Sequence, residues 1–309
     1  MPKSVLVTGV AGFIGGWVAQ HFGTNGFHVV GLDCRLPEEG VGRTLSDYLS
    51  LTLPSRDLVP FIQKVRPEIC IHCAGPSSVS LSMEDPASDF SASVPVTFGL
   101  LDALRSVSPM CRCIFLSSAA VYGNPDRLPI PESQPLRPIS PYGFHKWTCE
   151  QLCAEFWRLY QLPTAILRIF SAYGPGLKRQ VLWDICKKAL TRKILKLNGT
   201  GKESRDFVHA QDVAKAVALV AERGSFEAEI YNLGSGTETT IRELADLILA
   251  ELGMHIPVQF DQTPPPGTPL NWKADIRRLA QIGYVPEIGI KQGVHTYAGW
   301  FRKEFENHG

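Results

Sequence analysis

Tyr142 and Lys146 are the pair of residues in this sequence best suited to move a proton. They are four residues apart in a stretch that predicts a helix start, with Ser140 as N-cap and Pro141 at the first helical position. Both side chains then lie on one face of one turn. A tyrosine has a reference pKa of about 10, and a nearby ammonium group lowers that pKa by favouring the phenolate. The same spacing recurs by chance on solvated helix faces, so the pair needs support from the rest of the chain.

Three glycines near the amino terminus are spaced for binding a pyrophosphate. Gly9, Gly12 and Gly15 follow the apolar run 4–8, and an apolar helix is predicted to start near Phe13. In such a strand, turn and helix, backbone N–H groups and the helix N-terminus meet the phosphates of a dinucleotide. The spacing differs from the commoner Gly-x-Gly-x-x-Gly fingerprint, and an ordinary turn is the alternative interpretation.

Asp33 favours NAD as the dinucleotide. It ends the next predicted strand, 28–32, about twenty residues after the glycine loop. A carboxylate at this strand end accepts hydrogen bonds from the ribose 2′-hydroxyl and repels the 2′-phosphate of NADP. Arg35, two residues later, could partly reverse that preference.

Two further predicted strands end in small or hydroxyl side chains. The strand over 67–75 closes with residues 73–75, which are small enough for a cofactor to approach the backbone. The strand over 113–116 leads to Ser118, at the edge where open α/β sheets bind their ligands.

The segments between these strands are predicted from their polarity and periodicity. The polar stretch 36–56 predicts a loop, 57–65 a short helix, and 85–105 one amphipathic helix.

Length and composition describe an ordinary soluble globular chain. It has 309 residues, 44% of them apolar and 20% charged, with a net charge of +1. Such a chain forms one large or two modest domains, and neither a nucleic acid nor a membrane is an expected partner. The sequence has no stretch long enough for a membrane span and no signal-peptide layout, so a cytoplasmic enzyme is predicted.

The eight cysteines are predicted to be free thiols in a reducing compartment. Cys70 and Cys73 have a spacing known from zinc sites, but residues three apart on a strand point to opposite faces, so they are interpreted as buried small residues. His72 lies on the same apolar strand and is interpreted as a hydrogen-bonded core histidine in preference to a ligand or base. No metal site is predicted.

Together these motifs resemble those of the extended short-chain dehydrogenase/reductases that act on nucleotide-sugars, the epimerase/dehydratase group that includes UDP-glucose 4-epimerases. The resemblance covers nearly the whole chain, and the motifs keep the family's order. They are the cofactor loop 8–15, the fourth strand 71–75, the catalytic triad Ser118, Tyr142 and Lys146, the strand 167–176 entering the substrate domain, and a nucleotide-diphosphate motif of Gly199, Gly201, 205–209 and Asp212.

The resemblance implies a role for each matching residue. Tyr142 is then the acid/base on a sugar hydroxyl, Lys146 binds the nicotinamide ribose and lowers the tyrosine pKa, and Ser118 hydrogen-bonds to the reacting oxygen. Arg205 would hold the phosphates through bidentate contacts, although a surface ion pair is an alternative. The implied cofactor site is Gly9, Gly12, Phe13, Ile14, Gly15, Asp33, Arg35, Cys73, Ala74, Gly75, Tyr142, Lys146 and Phe170, and the implied substrate site is Ser118, Ser171 and Arg205.

Several positions depart from the family pattern. Ser171 and Ser93 stand where asparagines are common, beside the substrate and the cofactor respectively. Thr52 replaces the usual aspartate near the adenine, and Pro265 begins Pro-Pro-Gly-Thr where many 4-epimerases carry Arg-x-Gly-Asp. The cofactor site therefore matches the family more closely than the sugar site does.

The predicted fold class is α/β. Strands alternating with helices predict a doubly wound parallel sheet of the Rossmann type over residues 1–171, and a smaller mixed α/β substrate lobe over 172–309. The chain is expected to return to the first domain at about 206–235. Apolar residues on the helices around 87–105 and 141–160, including Phe156, Trp157 and Leu159, predict a homodimer.

Three functions remain open on the sequence. The first is an NAD-dependent nucleotide-sugar epimerase acting at C4, the second a nucleotide 4-keto-sugar reductase that consumes a reduced nicotinamide, and the third a cofactor-binding protein with a retired active site. Complete retention of the triad argues against the third. A 4,6-dehydratase is disfavoured, because Ala119 and Ala120 stand where its Asp-Glu pair would follow the catalytic serine or threonine.

Overall fold

The computed structural model describes residues 3–263 and 266–308 and contains a large parallel β-sheet flanked by helices. The strands are β1 Ser4–Thr8, β2 His28–Asp33, β3 Asp47–Ser50, β4 Ile69–His72, β5 Arg112–Ser118, β6 Thr164–Ile169, β7 Ser171–Tyr173, β8 Leu195–Leu197, β9 Ser204–His209, β10 Glu227–Leu233, β11 Glu238–Thr240 and β12 Val258–Phe260. The helices are α1 Phe13–Thr24, α2 Glu39–Gly42, α3 Leu58–Val65, α4 Val79–Glu84, α5 Pro86–Ser91, α6 Val94–Val107, α7 Pro141–Tyr160, α8 Gln180–Thr191, α9 Ala210–Arg223, α10 Ile241–Glu251, α11 Arg277–Gln281 and α12 Ile290–His308, with a 3-10 helix at Ala119–Tyr122.

Seven strands form the large sheet, in the order β10-β6-β5-β4-β1-β2-β3, and all neighbours run parallel. Helices α1 and α9 cover one face of the sheet, while α3, α6 and α7 cover the other. The central strands are therefore buried on both faces, which is why they occur in the sequence as continuous apolar runs. This arrangement confirms the predicted doubly wound fold.

The strand order reverses between β1 and β4, so the carboxyl ends of these two strands border a crevice. The glycine loop follows β1, and residues 73–75 follow β4. Open α/β sheets bind their ligands at such a reversal.

A smaller mixed lobe lies beyond β6. Its three-stranded sheet has the order β11-β9-β7, with β11 antiparallel and β7 parallel to β9, and β8 pairs with β12. The core of the lobe is formed mainly by α8, α10 and α12. Between these elements the chain returns to the large sheet, since α9 packs against it and β10 pairs with β6. The position of the boundary between the two domains, predicted between residues 171 and 172, stays a prediction.

Two local predictions are wrong. The stretch 36–56, expected to be a loop, contains α2 and the strand β3, which is the edge strand beside β2 and has a mostly polar sequence. The single helix expected over 85–105 is divided into α5 and α6. Pro95 lies at the start of α6, where the missing N–H and the ring prevent a helix from continuing out of the preceding turn. None of the described helices is long and apolar enough to cross a membrane.

Candidate active site

The glycine loop lies directly against the end of β4. Gly9 has a φ of +72°, and its N–H donates to the Leu32 carbonyl over 2.8 Å. A Cβ at Gly9 would lie 2.6 Å from the Ala74 nitrogen, and one at Gly15 would lie 2.1 Å from the Gly9 carbonyl oxygen. Only glycine fits at these two positions, so the loop is built for close approach of backbone to backbone.

The start of α1 is arranged to receive an anion. Gly12 is the N-cap in an extended conformation, and it has no side chain to bond to the first turn. The first-turn N–H groups, at Phe13 and Ile14, are therefore left to a ligand, and the positive end of the helix dipole lies beside them. The residues present fit the pyrophosphate of a dinucleotide.

Asp33 connects the glycine loop to the end of β2. One carboxylate oxygen accepts the Ala11 N–H and the other the Arg35 N–H, both over 3.0 Å. The Arg35 guanidinium lies 3.9 Å from the same carboxylate, and its side chain is 71% exposed. The Asp33 carboxylate is thus held in place by backbone groups, whereas the Arg35 charge extends into solvent.

Residues 73–75 are held on β1 by Thr8. The Cys73 N–H donates to the Thr8 carbonyl over 3.1 Å, and the Ala74 N–H to the Thr8 hydroxyl over 3.3 Å. The same hydroxyl lies 2.7 Å from His72 Nδ1, and His72 Nε2 lies 3.2 Å from the Thr97 hydroxyl. Burial, assisted by the Lys146 charge, lowers the pKa of His72 to about 3. The interpretation of His72 as a hydrogen-bonded core histidine is confirmed.

The helix that carries Tyr142 and Lys146 begins as the sequence predicts. The Ser140 hydroxyl accepts the Gly143 N–H over 3.2 Å, and Pro141 is the first helical residue. Lys146 is only 7% exposed, and its ammonium donates to the Leu116 carbonyl on β5 over 3.0 Å. The same nitrogen lies 5.9 Å from the centre of the Tyr142 ring. The lysine is therefore fixed between β5 and the tyrosine.

Ser118 lies at the carboxyl end of β5, next to the start of α7. Its hydroxyl accepts the Ala120 N–H over 3.1 Å, which closes the turn after the strand. A Cβ at Gly143 would lie 2.6 Å from the Ala120 carbonyl oxygen, so the first turn of α7 rests on that turn without an intervening side chain. Tyr142 is itself held by its N–H, which donates to the Ser82 hydroxyl on α4 over 3.2 Å. The three residues of the predicted triad thus meet at one edge of the sheet.

A buried ionic network behind the triad was not predicted. Glu150, one turn beyond Lys146, accepts two bonds from Arg168 on β6, over 2.9 and 2.7 Å, and one from the Ser117 hydroxyl over 2.5 Å. Arg168 also donates to the Tyr122 hydroxyl over 2.9 Å. Although burial opposes the charge, Glu150 raises the pKa of Arg168. In the sequence, the only feature that points to this network is that Glu150 follows Lys146 by four residues.

Arg205 lies on β9 of the smaller lobe. Its guanidinium lies 5.5 Å from the centre of the Trp272 ring and donates to the carbonyls of Ser204, over 2.6 Å, and Leu270, over 3.2 Å. Burial lowers the pKa of Arg205 to about 10, and the charge of Glu203 partly offsets this effect. Within the described residues no carboxylate forms an ion pair with Arg205, so the alternative of a surface ion pair is not supported.

Other residues of the predicted diphosphate motif lie inside the protein. Asp206 is fully buried and accepts backbone bonds from Ser235, Gly236 and Ala274. His209 and Asp212 are 3% and 1% exposed. Their side chains lie inside the polypeptide, and the role of this motif in holding phosphates stays a prediction.

The remaining predicted positions differ in their surroundings. Phe170 is buried, with its ring centre 5.9 Å from that of Trp272, and Ser171 is half-buried on β7. Ser93 is buried and its hydroxyl donates to the Asp89 carbonyl, while Thr52 is exposed. Pro265 lies outside the described residues.

Arg179 is a second residue that sequence reasoning missed. It is the N-cap of α8, and its guanidinium interacts electrostatically with both Tyr142 and Arg35. Burial lowers its pKa, and repulsion by Arg35 adds to that effect while Tyr142 opposes it. A cation at the start of α8 therefore interacts with a residue of the predicted triad. No pattern around position 179 signals this location.

Comparison with known proteins agrees with this geometry. The NAD dependent epimerase/dehydratase family matches residues 5–234. A putative UDP-glucose 4-epimerase of Methanocaldococcus jannaschii is 32% identical over 304 residues, which cover 96% of this chain and 98% of the relative. The structure of UDP-glucose 4-epimerase of Thermotoga maritima with UDP-glucose has a TM-score of 0.90 at 27% identity, covering 98% of this chain and 100% of that one. The Thermus thermophilus UDP-glucose 4-epimerase, in complex with NAD, has a TM-score of 0.89 at 28% identity, covering 97% and 99%.

The parallel sheet and its glycine loop place the protein among the dinucleotide-binding enzymes of the short-chain dehydrogenase/reductase type. Within that class the chain belongs to the NAD dependent epimerase/dehydratase family. The resemblance found in the sequence and the prediction of NAD as cofactor are thereby confirmed.

Proposed function

We propose that the protein is an NAD-dependent nucleotide-sugar epimerase that inverts the configuration at C4 of a hexose. The observation that carries the proposal is the packing of α7 on the turn after Ser118. That packing brings Ser118, Tyr142 and Lys146 to the sheet edge where the glycine loop also lies. Membership of the family supports the same reaction class.

The chemistry follows from the groups at this edge. Tyr142 takes the proton of the C4 hydroxyl and later returns a proton to the C4 oxygen, and Ser118 hydrogen-bonds to that oxygen. Lys146 supplies a fixed cation beside the tyrosine. When bound, NAD supplies the acceptor and then the donor of the C4 hydride. Inversion requires that the 4-keto sugar present its opposite face before the hydride returns.

The nucleotide half of the substrate is proposed to lie along Arg205. Its guanidinium is oriented by two backbone carbonyls and the face of Trp272, and it lacks an acidic partner among the described side chains. A guanidinium of this kind is suited to a diphosphate, with which it forms charge-assisted bonds.

A 4-keto-sugar reductase is the second candidate. Ser171 stands where the family pattern has an asparagine that contacts the substrate, which loosens the anchoring expected for the sugar. A 4,6-dehydratase is disfavoured, because Ala119 and Ala120 are buried methyl side chains that cannot transfer a proton.

Isotope retention separates the two candidates. The purified protein is examined for bound NAD and then given a C4-deuterated nucleotide-hexose without added nicotinamide, with the Tyr142→Phe variant as control. An epimerase returns the hydride to the sugar it came from, so we expect deuterium at C4 of the inverted product and no inversion above background in the control. Activity on a 4-keto sugar alone, with one reduced nicotinamide consumed per product, would overturn the epimerase.

A further inference from the structure

Three buried polar atoms near the junction of the two lobes have no hydrogen-bond partner within the described part of the chain. They are the hydroxyl of Tyr173, Nε2 of His209 and Oδ1 of Asp212, on side chains that are 0%, 3% and 1% exposed. Buried polar atoms in folded proteins are almost always satisfied by protein or by ordered water. Three such atoms in one neighbourhood therefore call for a common explanation.

The three side chains are neighbours. The rings of Tyr173 and His209 meet edge to face at 5.4 Å, with an interplanar angle of 90°. Burial raises the pKa of the Tyr173 phenol, and the charge of Asp212 raises it further. Burial lowers the pKa of His209, and the same charge opposes that effect. Asp212 lies in the first turn of α9, the helix whose N-cap is His209, so the three side chains share one neighbourhood.

The other polar atoms of the histidine and the aspartate already have hydrogen-bond partners. These partners determine which donors and acceptors remain unpaired. His209 Nδ1 accepts the Gln211 N–H over 3.2 Å, so the neutral ring carries its proton on Nε2. Asp212 Oδ2 accepts the N–H groups of Glu287 and Ile288 over 3.2 and 3.0 Å, which leaves Oδ1 as a free acceptor. Two donors and one acceptor therefore remain in this neighbourhood.

We propose that a single buried water molecule bridges these three atoms, accepting from the Tyr173 hydroxyl and from His209 Nε2 and donating to Asp212 Oδ1. Buried waters typically make about three hydrogen bonds to polar groups that would otherwise be unsatisfied, and one water matches this set of two donors and one acceptor.

The water joins elements that hold the two lobes together. Tyr173 ends β7, where the chain enters the smaller lobe, and a Cβ at Gly293 of α12 would lie 1.9 Å from its hydroxyl. Asp212 lies in the first turn of α9, which packs on the large sheet. His209 also contacts Trp17 of α1, at 5.6 Å between ring centres. The site is thus separate from the catalytic groups and goes beyond the proposed reaction.

A crystal structure of the wild-type protein at about 1.5 Å resolution tests the site. We expect one ordered water with contacts of about 2.7–3.2 Å to each of the three atoms. Tyr297 is the matched control, since it is equally buried but donates directly to the Leu177 carbonyl over 2.7 Å, and no water is expected at its hydroxyl. Absence of density between the three atoms, or direct bonds among them, would overturn the proposal. A sphere with several oxygen contacts at about 2.3–2.6 Å would also overturn it, because that geometry belongs to a cation.

The tautomer of His209 provides an independent test in solution. Nitrogen-15 spectra of the histidine rings, assigned with a His209→Gln variant, should show a neutral ring at pH 7 with its proton on Nε2. A proton on Nδ1 would make Nε2 an acceptor, which would overturn the proposed donation from His209 to the water.

Discussion

Asp33 and Arg35 are two residues apart and have opposite charges. The preference for NAD or NADP depends on which of the two charges has the stronger effect at the 2′ position of the adenosine ribose. Asp33 is 7% exposed and held by backbone N–H groups, whereas the Arg35 side chain is 71% exposed. A buried, oriented carboxylate repels a 2′-phosphate more effectively than a solvated guanidinium attracts it. We therefore expect NAD(H) to bind at least tenfold tighter than NADP(H), a difference of about 1.4 kcal/mol.

Fluorescence titration of both cofactors, on the wild-type protein and on Arg35→Met, measures this preference. The Arg35→Met variant should keep its affinity for NAD. Equal affinities of the wild-type protein for the two cofactors, with loss of NADP binding in Arg35→Met, would instead make Arg35 a phosphate clamp.

Tyr142 is the residue to which we assign the proton transfer. Tyr142→Phe removes the hydroxyl and retains the ring, so NAD binding should change little, while turnover should fall roughly 10²–10⁴-fold, the usual contribution of a positioned acid/base. Steady-state turnover and cofactor titration measure the two effects. Tyr160→Phe, at the exposed end of the same helix, is the matched control. Wild-type turnover in Tyr142→Phe would show that another group carries the proton.

At the scale of elements, the helix α7 is anchored to β5 and β6 by the buried charges of Glu150 and Arg168. Their exposures are 1% and 2%. Removing one partner of such a pair leaves an uncompensated charge in the core, and typically costs about 3–5 kcal/mol of stability. We therefore expect Glu150→Gln to lower the free energy of unfolding by that amount, measured by denaturant titration.

A double variant separates the charge from the packing. Glu150→Met combined with Arg168→Met removes both charges and keeps much of the apolar volume, so it should recover a large part of the stability lost in Glu150→Gln. If Glu150→Gln is as stable as the wild type, or the double variant is no better than the single one, the ion pair does not hold the helix as we infer.

The same elements show what the sequence could predict. Strands β1 and β4 are buried on both faces and occur as apolar runs, and Ser140 with Pro141 marks the start of α7, so local chemistry was sufficient there. The strand β3 was missed because its pairing with β2 at the sheet edge needs no apolar run. Pro95 divides the predicted helix at a position where the amphipathic pattern alone suggested continuity.

For the candidate site, the groups carried by motifs were easier to predict than those defined by tertiary contacts. The glycine loop, Asp33 and the Ser118, Tyr142 and Lys146 triad have characteristic spacing. Glu150 resembles any polar residue on a helix until Arg168, eighteen residues later in the chain, is placed against it. Arg179 has no motif at all, and its location depends on how the smaller lobe packs on the larger one.

At the scale of the whole molecule, the smaller lobe rests directly on the cofactor helix. The Trp17 indole N–H donates to the Pro175 carbonyl over 3.2 Å, and a Cβ at Gly176 would lie 3.7 Å from the Phe13 ring. The segment that enters the substrate lobe therefore packs on the same turn of α1 that we assign to the pyrophosphate. Cofactor and substrate are thus expected on adjacent surfaces of a single cleft.

A second surface of the molecule concerns assembly. Large apolar side chains on α5, α6 and α7 point outwards: Phe90, Phe98, Phe144, Leu159 and Tyr160 are 45%, 47%, 49%, 68% and 47% exposed. Phe156, which the sequence predicts on this outer face, instead lies in the core at 1% exposure, because it packs under Phe98 with ring centres 5.7 Å apart. An apolar surface of this kind on adjacent helices is typical of a protein interface.

We therefore expect a two-fold symmetric homodimer formed through α6 and α7, because an isologous contact would bury these side chains against their own copies. Light scattering at micromolar concentration should give twice the mass of 34.1 kDa. Leu159→Glu places a charge on the outer face of α7 and should shift the protein towards monomer without loss of helical signal. Leu36→Glu, at a leucine that is 79% exposed in the loop after β2, should leave the dimer intact. A monomeric mass for the wild type would contradict the prediction, and an equal effect of both substitutions would show that the association does not depend on this surface.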